Sequence, residues 1–162
     1  SDHYNPTNRS LNLSPDVHDS QSLSSIGVAC HEAGHALQHA ENYVPLQWRS
    51  TLVPITQFSS HGAYIFILLG VFMQSMAMSQ IGVILFGVGF LFALITLPVE
   101  WDATARAKRL MVNDGIVQPQ EANDTGKVLD AAFLTYVAAA VSALLTLLYY
   151  ALRLGLLGGR DD

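Results

Sequence analysis

His31-Glu32-Ala33-Gly34-His35 sets two imidazoles four residues apart with a carboxylate between them. On a helix, residues four apart share a face. Two such imidazoles can bind one zinc ion, while the intervening glutamate reaches a bound water. A catalytic zinc takes three protein ligands and keeps a fourth position for water, whose pKa it lowers to about 7. Glu32 is then the base. A bare H-E-x-x-H also arises by chance, as a helix carrying two solvated histidines. The flanks here argue for the metal: Val28, Ala29, Ala33, Gly34, Ala36 and Leu37 are small or apolar, and no charge other than Glu32 intrudes. In such a buried helix an unpaired glutamate is costly.

A third ligand is needed. His39 lies one turn beyond His35, but residues eight apart are about 12 Å apart along a helix, too far for one ion with bonds of about 2 Å. His39 is therefore expected behind the ligands or in the core. The position ten residues after His31 is Glu41, so a third histidine there is absent. Glu100 is the better candidate. From Ser50 to Val99 there is no Asp, Glu, Lys or Arg. As one helix that run would measure about 75 Å, whereas a bilayer core is about 30 Å thick and needs about 20 residues. Two crossings fit, and two crossings return Glu100 to the membrane face that carries His31 and His35. The plainer alternative is an ordinary carboxylate where a helix emerges into water.

The elements that must position these side chains follow the same logic. The crossings are placed near 61–78 and 81–98, with Met78-Ser79-Gln80, the most polar interruption, as the hairpin tip. A third crossing is placed near 131–152, a second uncharged run. Tyr149, Tyr150 and Trp101 stand where interfacial aromatic belts occur. The active-site helix runs from about Ser22 to His39, capped by Ser24 or Ser25, with Asn42 and Pro45 marking its end. Ser10-Leu11-Asn12-Leu13-Ser14 alternates like a short half-exposed strand. Residues 101–110 are rich in helix formers, and Asn113-Asp114-Gly115 signals a turn. The expected fold is mainly α: a polytopic membrane protein with about three transmembrane helices, an H-E-x-x-H helix and a minor strand near the N-terminus. It reads as a single domain over 1–162: an active-site helix region (1–60), a transmembrane hairpin (61–98), a third-ligand helix and loop (99–130) and a final transmembrane helix (131–155).

Composition agrees. Of the 162 residues, 51% are hydrophobic and only 13% are charged, against roughly 25% in a soluble domain. With a net charge of -5, nothing suggests nucleic-acid binding, which needs a basic surface. A single cysteine, Cys30, excludes an intrachain disulfide and reads as a small buried residue. The polar first twenty residues show no signal peptide.

The sequence resembles the YugP-like membrane zinc metallopeptidases of bacteria. The resemblance is carried by Asp2-His3-Tyr4-Asn5-Pro6, Leu11-Asn12-Leu13-Ser14, Gly27 to Gln38 with its H-E-A-G-H core, Tyr43-Val44-Pro45-Leu46, Leu97-Pro98-Val99-Glu100-Trp101-Asp102-Ala103, and Val128-Leu129 through Thr135-Tyr136-Val137-Ala138-Ala139. It implies a zinc peptidase of the H-E-x-x-H plus glutamate (gluzincin-like) type, embedded in the bacterial plasma membrane. More distantly the chain is similar to HtpX-type heat-shock proteases and CAAX prenyl-protein endopeptidases, which carry a downstream E-x-x-A-D-x-x-A motif. Glu100, Ala103 and Ala107 match it. Thr104 stands at the aspartate position and Asp102 lies nearby, so either is a candidate partner behind the ligands, a role that usually orients a metal-binding histidine. Members of the family usually have an N-terminal membrane helix before the Asp2-His3-Tyr4 stretch, so the chain is expected to be a fragment or processed product.

These readings combine into one expected activity: hydrolysis of peptide bonds in membrane or membrane-adjacent proteins, with zinc on His31, His35 and Glu100 and Glu32 moving the proton. His61, Tyr43 and Arg109 are considered as oxyanion donors, but no spacing rule singles one out. The Leu11, Asn12 and Leu13 stretch is a candidate for binding an extended substrate by strand addition, or else a capping strand. Gly82, Gly87 and Gly89 suit close helix packing. Arg9, Arg49, Arg106, Lys108, Arg109 and Lys127 lie on the active-site side and Arg153 and Arg160 on the other, which predicts a cytoplasmic active site. The partners expected are the lipid bilayer and a protein or peptide substrate, with oligomers or complexes left open. The competing expectation is a zinc-stabilised membrane adaptor without turnover. The intact Glu32 counts against it, because a structural site has no use for that base.

Overall fold

The computed structural model describes residues 1–158, and Arg160 lies outside them. The chain is mainly helical, with a two-stranded sheet at its start. β1 (His3–Asn5) pairs antiparallel with β2 (Ser10–Asn12), Tyr4 opposite Leu11. Four residues of helix, α1 (Pro15–His18), precede α2 (Leu23–Ala40), α3 (Val44–Phe72), α4 (Met76–Asn113) and α5 (Pro119–Arg153). The expected strand is therefore present over Ser10–Asn12, although Leu13 and Ser14 fall beyond its end and Ser14 takes the N-cap position of α1.

Two compact units divide the described chain. The first contains 1–47 and 97–136, and the second 48–96 with the stretch from 137 onward. In the first unit, α2 packs against the C-terminal part of α4 and the N-terminal part of α5. The core is Cys30, Ala107, Met111, Val117 and Leu129, closed by Leu23, Ile26 and Ala122. Ser22, in extended conformation, caps α2 by accepting from the Ser25 amide at 3.1 Å. Ser25 is thus the capped donor rather than the cap, because a cap residue must sit outside the helix with its oxygen turned back to the third amide. Asn42 takes φ 55° after α2. Pro45 lies in the first turn of α3, where a missing N–H costs nothing, so it opens the next helix rather than closing the last. Gly115 at φ 63° ends α4 in the expected turn.

Gly34 decides how closely α2 and α4 approach. A Cβ at this position would lie 2.5 Å from the Ala103 carbonyl oxygen, closer than side-chain carbons come to backbone oxygens. Only glycine lets these two backbones meet here.

The second unit holds the apolar lengths of helix. α3, α4 and α5 are each long and apolar enough to cross a membrane, and only 17%, 17% and 6% of their most apolar windows are buried within the protein. Faces this apolar and this open need lipid around them. The hairpin between α3 and α4 turns at Met73–Ser75, with Gln74 at φ 52°, and not at Met78-Ser79-Gln80. The reason is packing. Gly70 lies directly against Ser79, whose amide is 2.6 Å from where a Gly70 Cβ would stand. Ser79 is buried by that contact, and Gln80 donates to the Leu154 carbonyl at 2.8 Å. The polar residues taken for a tip are consumed inside helix packing. The close approach also involves Gly82, where a Cβ would meet Ile67 and the Ala63 carbonyl, whereas a Cβ at Gly89 would meet no other element within 4 Å among the described residues. α4 continues without a break through Pro98 to Asn113, so the apolar length and the segment bearing Glu100 are one element.

Candidate metal centre

The three proposed ligands meet in the first unit. α2 contributes His31 and His35, whose rings stand edge to face with centroids 4.8 Å apart. α4 contributes Glu100, which is 1% exposed. His31 Nε2 lies 2.8 Å from Glu100 Oε2, and His35 Nε2 lies 3.6 Å from Glu100 Oε1. One donor atom from each residue falls within 4.8 Å of the others, within reach of one ion whose bonds to such ligands are about 2 Å. Two imidazoles and a carboxylate are also the donor types that zinc takes in open sites. Burying a carboxylate alone would be costly. Here it faces two imidazoles, so the group fits a divalent cation.

Burial pulls the His35 imidazolium towards neutrality. The nearby Glu100 carboxylate acts the other way, aided by Gln38 and the charge of Glu32, so the ring titrates above its ordinary value in the metal-free protein.

Glu32 sits between the histidines on α2, and one carboxylate oxygen, Oε2, accepts the backbone N–H of Tyr4 at 3.0 Å. β1 thereby lies over α2. Tyr4 also holds His39, its hydroxyl 2.8 Å from Nδ1. His39 thus pairs with the N-terminal strand rather than with a ligand, and the reason is its helical distance from His31. Thr104 Oγ1 lies 3.4 Å from His31 Nδ1. Asp102 contacts no ligand histidine directly. Gln38, fully buried, stands between: its Oε1 lies 2.9 Å from His35 Nδ1, and its Nε2 donates to the Val99 carbonyl at 2.8 Å and to Asp102 Oδ2 at 3.0 Å. The same Asp102 oxygen accepts from Arg106 Nε at 2.6 Å, and Arg106 reaches Glu41 at 2.6 Å.

Of the residues considered as oxyanion donors, Tyr43 gives its hydroxyl to the Pro98 carbonyl at 3.5 Å and lies under the Arg106 guanidinium. His61 belongs to the second unit, where its ring pairs with the Gln57 carbonyl at 2.7 Å. Arg109 is exposed. Leu11 is 44% exposed on β2. Sequence reasoning missed Gln38 and Tyr4. The place of Gln38 was visible, a lone amide three residues after His35 on α2, but the α4 acceptors that give it a role were not. Tyr4 carried no signal, because its contact spans 28 residues through the hairpin.

Comparison with known proteins now decides the family. A profile described as "Putative neutral zinc metallopeptidase" matches residues 1–155. The chain belongs to this zinc metallopeptidase family. It is also 45% identical over 161 residues to "Putative membrane protease YugP" of Bacillus subtilis (strain 168), covering 99% of this chain and 71% of that protein. No solved structure matches. The family's metal is zinc, and His31, His35 and Glu100 can form its site. The relative, together with three membrane-length helices, makes this metallopeptidase a membrane protein.

Proposed function

We propose that the chain is an integral-membrane endopeptidase that hydrolyses peptide bonds in membrane or membrane-adjacent proteins, with His31, His35 and Glu100 as zinc ligands and Glu32 as the base. The observation that carries this reading is the convergence of the three donor atoms within 4.8 Å beside a glutamate from the same helical turn. Zinc, when bound, supplies Lewis acidity towards a carbonyl and lowers the pKa of a water to about 7. The chain's own residues do the rest. Glu32 takes the proton of the attacking water and returns it to the departing amine, a transfer that contributes roughly 100- to 10,000-fold. The Tyr4 N–H occupies one oxygen of Glu32 and leaves the other for that exchange. The open face of Leu11 and the flanking Asn12 and Leu13 offer extended backbone to a peptide. The excess of Lys and Arg beside the site supports a cytoplasmic orientation.

Glu32→Gln tests the reading. Zinc content should match the unmodified chain, while chelator-sensitive digestion of a casein-type substrate should fall by at least about 100-fold. Retained cleavage at full zinc content would refute the role of Glu32. Bound zinc with no chelator-sensitive cleavage by the unmodified chain would favour an adaptor.

A further inference from the structure

The amide of Gln38 has only one orientation that satisfies its surroundings. One end faces two groups that can only accept, the Val99 carbonyl and the Asp102 carboxylate, at 2.8 and 3.0 Å. That end must be the NH2, and both of its protons are then committed. The other end, Oε1, is an acceptor 2.9 Å from His35 Nδ1. A buried acceptor facing a ring nitrogen requires that nitrogen to carry the proton. Nε2 also faces an acceptor, Glu100 Oε1, but at 3.6 Å, beyond hydrogen-bond length, so the neutral ring carries its proton at Nδ1 and keeps its lone pair at Nε2, the atom turned to the Glu100 side of the site. His31 has no comparable constraint, because the Thr104 hydroxyl at 3.4 Å can donate or accept.

We infer that Gln38 is a positioning residue that fixes the ring and tautomer of His35, and that Asp102 acts on His35 through it. This rests on His35 being a metal ligand. Zinc-binding histidines commonly give their second N–H to a carboxylate or carbonyl, which orients the ring and raises its basicity. Here the carboxylate lies one amide away. Asp102 polarises the Gln38 N–H, which strengthens Oε1 as an acceptor, and Arg106 holds Asp102 in place at 2.6 Å. The position two residues after Glu100 can therefore serve in a chain with threonine at position 104.

The test uses the full chain in detergent. Nitrogen NMR of isotope-labelled histidines, on metal-free protein at alkaline pH where the ring is neutral, is expected to show His35 protonated at Nδ1. Gln38→Met, similar in length but lacking the amide, should lose that bias. Its zinc affinity, measured by competition with a chromophoric chelator, should fall roughly 10- to 100-fold. Gln38→Glu keeps an oxygen facing Nδ1 and, protonated on its other oxygen beside the Asp102 carboxylate, still has one donor for Asp102. It should keep the tautomer and lose less than about 10-fold in affinity. A His35 ring protonated at Nε2 in the unmodified chain would overturn the inference. So would equal losses in the two variants, which would make Gln38 a brace between α2 and α4. His31→Ala, which leaves Gln38 in place, is the separate control. Unchanged zinc binding there would defeat the metal-site reading itself, while the tautomer spectrum would still judge the Gln38 assignment.

Discussion

Gly34 shows how one atom's absence governs the site. It lies inside the H-E-A-G-H stretch, yet its side chain has no part in the chemistry. What matters is that the Ala103 carbonyl oxygen would stand 2.5 Å from any Cβ placed there. Gly34→Ala must push α2 from α4, and these are the helices that bring His31 and His35 to Glu100. Overpacking of this kind typically costs about 1–3 kcal/mol, and the added strain falls on the ligand geometry. The expected outcome is a lower melting temperature together with weakened zinc binding. Unchanged values for both would mean that the helices separate freely. At this scale the sequence was most legible where chemistry dictates spacing. His31, Glu32 and His35 are read from a four-residue interval, and Glu100 from the end of an uncharged run. Gln38 was not read, because an amide's role depends on the two acceptors facing it from α4, and no interval along α2 reports those.

Among the elements, the N-terminal hairpin does more than its three-residue strands suggest. β1 lays the Tyr4 N–H on Glu32, and Asp2 secures the start of the hairpin by accepting the Ser14 amide at 2.7 Å. That hydrogen bond holds the Asp2 carboxyl below its ordinary value, outweighing a smaller effect of burial. A lowered carboxyl pKa stabilises the fold above the ordinary value of 3.8, and the contribution is lost as pH falls through the lowered value. Protection of the Ser14 amide against hydrogen exchange should therefore persist at mildly acidic pH and disappear below the ordinary carboxylate range. Asp2→Asn should remove most of this dependence. Protection that is flat through that range would show that Asp2 does not hold the hairpin. The strand itself was visible as an alternation of polar and apolar residues, and its partner and its contact with α2 were not, since both are set by tertiary packing. The membrane hairpin was legible as two crossings, but its turn was misplaced. Polarity was taken to mark the turn, but Ser79 is buried against Gly70, and the chain turns at Gln74 instead.

For the whole molecule, the count of crossings ties topology to chemistry. The proposed ligands come from α2 and α4, on either side of α3 and the apolar part of α4, so a shared site requires the chain to leave one face of the bilayer and return to it. The sole cysteine, Cys30, is buried, and burial pushes its thiol pKa up, so it offers little background to cysteine labelling. In intact cells, Met73→Cys at the hairpin turn should react with a membrane-impermeant maleimide, and Asp114→Cys in the turn after α4 should not. The reverse pattern would place the site outside. The claim on which everything else depends is that two imidazoles and one carboxylate hold a single zinc ion. X-ray absorption spectroscopy of the zinc-loaded full chain measures this directly. Expected are only nitrogen and oxygen neighbours at about 2.0–2.2 Å, including two imidazole rings, and a loss of zinc in Glu100→Ala. A sulfur neighbour at about 2.3 Å, or the same zinc spectrum and stoichiometry in Glu100→Ala, would contradict it.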